Sequence, residues 1–293
     1  MKKNLLTNNL IAVVGPTASG KTSYAIELAK KVDGEIISAD SRLVYKGFDI
    51  GTAKPSKDEM SEIPHHMIDI VEPKFSYSAG LYQQQAKKVI EDVISRGKIP
   101  IVVGGTGLYI DILLKNYHMP KIEPDYELRK QLEMLEFEDL YNILEGIDPK
   151  TAKRIEQNDK KKLIRSIEII KQTGKTLEQA RSIGEKEYNI KWIGLNFERN
   201  ELYKRINKRV DLMIEKGLID ETKELLNKHG RIPNIIDTIG YKEIIKYLDG
   251  IYDINTATEE LKKNTRHYAK RQMTWFRKNT EIEWNIFPDR LKK

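Results

Sequence analysis

The sequence contains no cysteine. That absence removes disulfides, thiolate zinc sites, iron–sulfur clusters and cysteine nucleophiles together, and it fits a reducing compartment. Long apolar runs are missing too. The longest, 99–114, is cut by Gly104, Gly105, Gly107 and Asp111 and is too short to span a bilayer. The opening MKKNLLTNNL makes a poor signal peptide, because Thr7-Asn8-Asn9 break its apolar character; the expected setting is cytoplasmic, with no membrane attachment. Histidine is scarce, with five in the chain. The pair His65-His66 makes a weak metal site, since adjacent side chains point apart, and a structural or substrate-loop role is expected for it. Internal repeats and low-complexity segments are absent. Neither charge sign is scarce: 51 Lys+Arg against 44 Asp+Glu leaves +7, a basic excess that admits a nucleic-acid partner without demanding one.

What is present is a chain of 293 residues. At about 150 residues per domain this predicts two domains, large enough to fold without staples. Residues 10–14 are a short apolar run, followed by a glycine loop and an amphipathic pattern through Tyr24, Ala25, Leu28, Ala29 and Val32. That sequence of signals reads strand, loop, helix. A second strand is expected at 35–38, a helix at 83–94, and a strand buried on both faces at 99–103. Strands alternating with helices predict an α/β fold with a parallel sheet. The middle differs. After Pro120 and Pro124, residues 125–147, 149–157 and 160–173 read as successive helices, with no strand among them. A strand returns at 192–197, followed by a helical stripe over 202–228 and further helices to about 278. The expected organisation is a catalytic α/β core, 1–117 and 191–293, interrupted by an all-helical insert at 118–190.

Gly15-Pro16-Thr17-Ala18-Ser19-Gly20-Lys21-Thr22 matches the phosphate-loop pattern. Its N–H groups curl round a phosphate, the following helix adds a favourable dipole, Lys21 brings a charge, and the Thr22 hydroxyl can ligate Mg²⁺. The placement between a buried strand and a helix start supports a real phosphate site over a bare glycine turn. The loop alone does not choose between a nucleoside triphosphate such as ATP and a diphosphate ester. NTPases of this type use an Asp at the end of another strand to organise the metal. The 99–103 strand ends in glycines instead. Asp40, after the second strand, is the acid available. It is either a metal-organising acid, the agent of different chemistry, or a helix cap.

Basic residues cluster twice: nine Lys/Arg against three acids over 150–175, and seven against none over 261–279, where His267, Tyr268, Trp275 and Phe276 are interleaved. One such cluster reads as a solvated helix face; two, in a chain with a phosphate loop, favour a polyanion partner bound in a salt-dependent way.

Further stretches narrow the reading: ADSRLVYKGFDIGTAKP at 39–55, PHHMID at 64–69, VVGGTGLY at 102–109, RINKRVDLMIEKGLIDE at 205–221 and DTIGYKEI at 237–244. With the loop, in this order and spacing, they resemble the bacterial tRNA dimethylallyltransferases (tRNA isopentenyltransferases), which prenylate N6 of the adenosine just 3′ of the anticodon. The resemblance runs over about residues 10–280. It implies a nucleotide-kinase-like core whose loop holds dimethylallyl diphosphate, Mg²⁺ as cofactor, and a helical insert that grips the anticodon stem-loop; the protein is expected to act as a monomer. Loops of this family are also described as ATP-binding.

Adenine N6 is a weak nucleophile, so attack on an allylic carbon needs a base and a stabilised leaving group. The resemblance makes Asp40 the general base, and places Lys21, Thr22 through Mg²⁺, and Arg209 on the leaving diphosphate. Arg205 lies four residues before Arg209, so the two can share a helix face. Thr106 would contact the target nucleotide, and Ser41, Arg42 and Leu43 would border the flipped adenosine. Family members commonly carry Gln at position 43, and Leu43 cannot make that side chain's hydrogen bond. Lys161, Lys162 and Arg165 in the basic insert, with Arg129 near its start, are the expected tRNA contacts. Three competing readings are a prenyltransferase for free nucleotides, a nucleotide kinase, and a non-catalytic RNA-binding protein. The basic insert speaks against the first, and the intact loop with Asp40 against the last. Without cysteine there is no thiolate zinc finger of the kind that eukaryotic relatives append, so the RNA grip is expected from the insert and basic surface.

Overall fold

The computed structural model describes residues 9–286 apart from 119, 121, 157, 158 and 181. The N-terminal stretch 1–8 and Gln157, the expected end of the 149–157 helix, therefore lie outside the described residues. The chain runs β1 (Asn9–Val14), α1 (Lys21–Val32), β2 (Gly34–Ser38), α2 (Lys57–Glu62), β3 (His65–His66), α3 (Ala79–Ser95), β4 (Ile99–Gly104) and α4 (Gly107–Leu114). It continues through β5 (Tyr117–His118), α5 (Tyr126–Glu133), α6 (Phe137–Ile147), α7 (Pro149–Ala152), α8 (Lys160–Thr173), α9 (Leu177–Ala180) and β6 (Ser182–Ile183). It then passes β7 (Asn189–Asn196), α10 (Arg199–Glu215), α11 (Leu218–His229), α12 (Pro233–Ile236), α13 (Tyr241–Leu248), α14 (Ile254–Phe276) and β8 (Glu283–Ile286). Two compact units result: Met1–Leu114 with Glu187–Lys293, and Lys115–Lys186.

The first unit is built on a six-stranded parallel sheet in the order β3-β2-β4-β1-β7-β8. Ala12, Val13, Val14, Ile101 and Val102 are fully buried, which is why β1 and β4 read as unbroken apolar runs. From β1 the chain crosses to β2 on one side; from β4 it returns to β7 on the other. Adjacent strands β4 and β1 thus send their connections in opposite directions, and such a switch point opens a crevice at the strands' carboxyl ends. Helix α1 packs Ala25, Ile26 and Ala29 against Val13, Ile36 and Ile101. A second core, including Phe48, Val210, Leu218, Tyr241 and Leu261, ties the C-terminal helices to the 44–48 segment. His66 Nε2 meets the buried carboxylate of Glu35 at 2.7 Å, and His65 Nδ1 bonds the Ile63 carbonyl at 2.7 Å, so both histidines have structural partners.

The second unit buries Leu132, Leu140, Leu144, Leu163 and Ile167 in its own core. Two expectations change here. The stretch 125–147 is two helices, broken at 134–136, although no Gly or Pro marks the break. Periodicity cannot see a turn that exists only so that Leu132 and Leu140 reach one core. The insert expected at 118–190 is also not all helical: Tyr117 and His118 pair antiparallel with Ile183 and Ser182. Two-residue strands are too short to show alternation. In the first unit, the stripe over 202–228 is likewise two helices, separated by Gly217 in a left-handed conformation (φ +97°), a conformation that glycine adopts without a Cβ penalty. Among the described residues no helix is long and apolar enough to cross a membrane.

Candidate active site

The loop after β1 takes its shape from what surrounds it. A Cβ on residue 15 would lie 2.3 Å from the Leu195 carbonyl oxygen, so only glycine lets the chain leave the sheet there. Ala18 (φ +61°) and Gly20 (φ +78°) are both left-handed, and residues of alternating hand turn successive N–H groups into one concavity. Helix α1 then starts with no side-chain cap and no acid in its first turn, leaving its leading N–H groups and dipole to a ligand. Lys21 Nζ curls back to the Pro16 carbonyl at 2.6 Å. Ser19 is buried, and its hydroxyl has no hydrogen-bond partner.

A recess of about 430 Å³ opens on this loop, lined by residues that include Ser19, Lys21, Thr22, Arg205, Lys208 and Arg209. Four of its lining residues are basic and none is acidic. Beside it lies a cavity of about 570 Å³ that shares Lys21, Thr22 and Arg209 and adds Asp40, Ser41, Arg42 and Leu43. Val210, Met213, Ile239 and Leu261 give that cavity an apolar wall. Withdrawal from water, reinforced by the Arg209 charge, brings Lys21 down to about 7, with Asp40 pulling the other way. Burial lowers Arg209 as well, again opposed by Asp40. Two partly buried cations thus both feel the Asp40 carboxylate.

Asp40 Oδ1 accepts from the N–H of Arg42 at 2.8 Å and of Leu43 at 3.3 Å, which folds residues 41–43 into a tight turn. Capping the turn occupies one carboxylate oxygen, while the residue lines the larger cavity. Thr106 Oγ1 accepts from the Ser41 N–H at 3.1 Å and so ties this turn to the one after β4. Arg209 Nη2 donates to the Thr52 carbonyl at 3.2 Å, and Arg205 Nε donates to the Ala18 carbonyl at 3.0 Å while stacking on Phe197.

Three further residues shape the site without being among its expected members. Glu221 accepts from the N–H of Ile50 and Gly51 and from the Tyr241 hydroxyl, and so fixes the turn that presents the Thr52 carbonyl to Arg209. The other two, Tyr268 and Gln272, lie on α14. Gln272 and Trp275 of that helix, with Ala39, account for the glycines of the Gly-Gly-Thr-Gly turn after β4. A Cβ would strike the Ala39 backbone at residue 104, the Gln272 amide at 105 and the Trp275 indole at 107. Tyr268, Gln272 and Trp275 repeat at helical spacing, so one face of α14 lies on that turn. Trp275 Nε1 holds Asp111 at 2.9 Å. Burial and the Asp40 charge push the Tyr268 phenol up to about 12, and its side chain meets Thr106. The i, i+4, i+7 spacing within the second basic cluster was the available signal.

The expected RNA-contacting residues lie in the second unit. Arg129 and Arg165 both pair with Glu168, whose side chain is fully buried; Arg129 does so through Nε and Nη2, each at 2.9 Å. Burial pushes Glu168 up, but hydrogen bonds from Arg129, Arg165 and the Asp125 N–H outweigh it and hold the carboxyl below its usual range. Lys162 pairs with Asp159 at 2.6 Å, and Lys161 is exposed. In the other basic cluster, Lys262 pairs with Asp211 and Glu259, and Lys263 with Glu260, so acids outside 261–279 neutralise part of it.

Among the described residues no three His, Asp or Glu side chains gather as a metal cage. The Thr22 hydroxyl and Asp40 carboxylate on one cavity wall form a sparse oxygen donor set. Such a set suits Mg²⁺, which keeps waters and is carried largely by phosphate oxygens.

Sheet topology and basic recess together define a phosphate-loop α/β protein of nucleotide-kinase-like type, with a second chamber opening beside the loop. More narrowly, the chain belongs to the IPP transferase family, whose model matches residues 43–279. It is 48% identical over 296 residues to a tRNA dimethylallyltransferase of Halothermothrix orenii, covering 96% of this chain and 89% of the relative. A tRNA dimethylallyltransferase of Anoxybacillus flavithermus is 46% identical, with 94% and 89% covered. The crystal structure of a Bacillus halodurans tRNA isopentenylpyrophosphate transferase superposes with a TM-score of 0.73 at 43% identity, covering 95% and 90% of the two chains. That of a eukaryotic dimethylallyltransferase acting on tRNA gives 0.84 at 30% identity, covering 97% and 75%.

Proposed function

We propose that this protein transfers a dimethylallyl group from dimethylallyl diphosphate to N6 of adenosine 37 in tRNA, next to the anticodon. The observation that carries the reading is the acid-free recess on the phosphate loop, where Lys21, Arg205, Lys208 and Arg209 lie beside the uncapped start of α1. A site so short of negative charge calls for a polyanion, and the adjoining chamber has the apolar wall that a five-carbon chain needs. The names of the relatives favour a diphosphate ester over ATP.

On this reading the diphosphate lies on the loop N–H groups and Lys21, with Arg209 held ready by the Thr52 carbonyl. The prenyl chain extends toward Val210, Met213, Ile239 and Leu261. The adenosine enters the larger cavity flipped from its stack, bordered by Ser41, Arg42, Leu43 and Thr106. N6 attacks the allylic carbon as that carbon's bond to oxygen breaks; the electron pair leaves with the diphosphate, and the N6 proton passes to Asp40. Mg²⁺, held through Thr22 and phosphate oxygens, would supply further neutralisation of the leaving group. The 115–186 unit grips the anticodon stem-loop through its basic helix, with Lys161 and Lys162 exposed on it and Arg129 and Arg165 paired with Glu168. The protein is taken to act as a monomer, in the cytoplasm where its tRNA is found.

The test is incubation with dimethylallyl diphosphate, Mg²⁺ and an unmodified tRNA bearing A37. One added prenyl group on that base is expected by mass spectrometry. No mass increase, together with ATP turnover on a nucleoside acceptor, overturns the reading in favour of a kinase.

A further inference from the structure

Two turns leave the sheet side by side where Val14 of β1 pairs with Gly104 of β4. One becomes the phosphate loop, and the other carries Thr106 to the Asp40 turn. The space between them is closed by one side chain from a helix about 170 residues away in sequence from the nearer of them. Gln272 Oε1 accepts from the Thr17 N–H at 2.8 Å, and its Nε2 donates to the Gly105 carbonyl at 2.9 Å. One partner is a donor and the other an acceptor, so a single orientation of the carboxamide satisfies both. The side chain is buried, and a Cβ at residue 105 would stand 2.1 Å from Nε2, so Gly105 leaves the room that the amide takes.

We propose that Gln272 is a positioning residue for group transfer: its carboxamide sets the spacing between the diphosphate cradle and the Thr106–Asp40 turn, and with it the approach of N6 to the allylic carbon. The inference rests on the substrate assignment proposed above. Each substrate binds chiefly to one turn, whereas transfer needs both in register. Loss of the bridge therefore spares binding and slows the chemical step. Misplacement by about 1 Å costs on the order of 10²-fold.

Gln272→Met keeps the length and loses both hydrogen bonds. Gln272→Glu keeps an acceptor for Thr17 and, when ionised, has no donor for Gly105. Single-turnover rates at saturating substrates are expected to fall about 10²-fold in Gln272→Met, with dissociation constants for dimethylallyl diphosphate and tRNA, each measured alone, within about threefold of wild type. The rate of Gln272→Glu relative to wild type should rise as pH is lowered, because a protonated carboxyl can donate to Gly105. An unchanged rate, or a loss of diphosphate affinity as large as the loss of rate, overturns the proposal. If Gln272→Met fails to fold, Gln272→Glu and the following measurement carry the test. Pyrophosphate bound to the loop should shift the Thr106 amide resonance in wild type and not in a Gln272 variant; no shift in wild type overturns the coupling. Wild-type protein that shifts Thr106 but prenylates no tRNA overturns the substrate assignment instead.

Discussion

Lys21 and Arg209 in the core unit, and Arg129 and Arg165 in the 115–186 unit, look alike in the sequence and end in opposite circumstances. The first two line a cavity with Asp40 and have no direct ion pair to it, and burial lowers both. The second two are hydrogen-bonded directly to the fully buried Glu168. A count of basic residues therefore does not show where an anion will bind. What matters is whether the fold has already supplied a counter-charge: where it has, the cations hold the structure together; where it has not, they wait for a ligand.

The largest effect should come from Asp40, the acid whose charge acts on both Lys21 and Arg209. Asp40→Asn is expected to lower turnover by about 10²–10⁴ while tRNA binding persists, as measured by single-turnover prenylation and filter binding. Near-normal turnover would remove Asp40 as base. Next comes Arg209→Gln, expected to cost about 10²–10³ in kcat/KM for dimethylallyl diphosphate with little change in thermal midpoint, since this cation serves a ligand rather than the fold.

The structural pair should behave the other way round. Glu168→Gln is expected to destabilise the protein by about 2 kcal/mol in denaturant titrations while pyrophosphate binding stays unchanged. Its pH signature follows from the lowered carboxyl: the stabilisation is complete above the ordinary value of 4.5 and fades as pH falls through the lower folded value. Glu168→Gln should flatten that acid limb. An unaltered acid limb would mean that the pair contributes nothing to stability. The smallest effect is expected from Lys161→Glu, which should weaken tRNA binding a few-fold and reduce its log–log salt slope by about one. Arg165→Glu should also cost stability, because it breaks the pair with the buried Glu168, and an unchanged stability would erase the contrast.

Much of the fold was legible because the signals are local. Buried strands β1 and β4 are continuous apolar runs, β2 and β7 have apolar centres at Ile36-Ile37 and Trp192-Ile193, and the glycine loop reports its own conformation. The turn at 134–136 and the two-residue β5–β6 pair were not legible, since neither leaves a periodic trace. In the site, the phosphate loop, Asp40 and Arg209 could be named from motifs. Glu221 and Gln272 could not be given a role. Each is one polar residue among several in an amphipathic helix, and its backbone partners lie about 170 residues away in one case and about 170 and 255 in the other.

The sequence alone determined the chemistry on offer: a phosphate cradle, an acid at a strand end, abundant basic residues and no thiol. These follow from residue identity and short-range spacing, which the chain carries whether or not it is folded. Only the tertiary structure decided which cations were left without counter-charge, and which side chain joined the two halves of the site. Those properties depend on distances between residues far apart in the chain, and packing of the sheet and helices sets them.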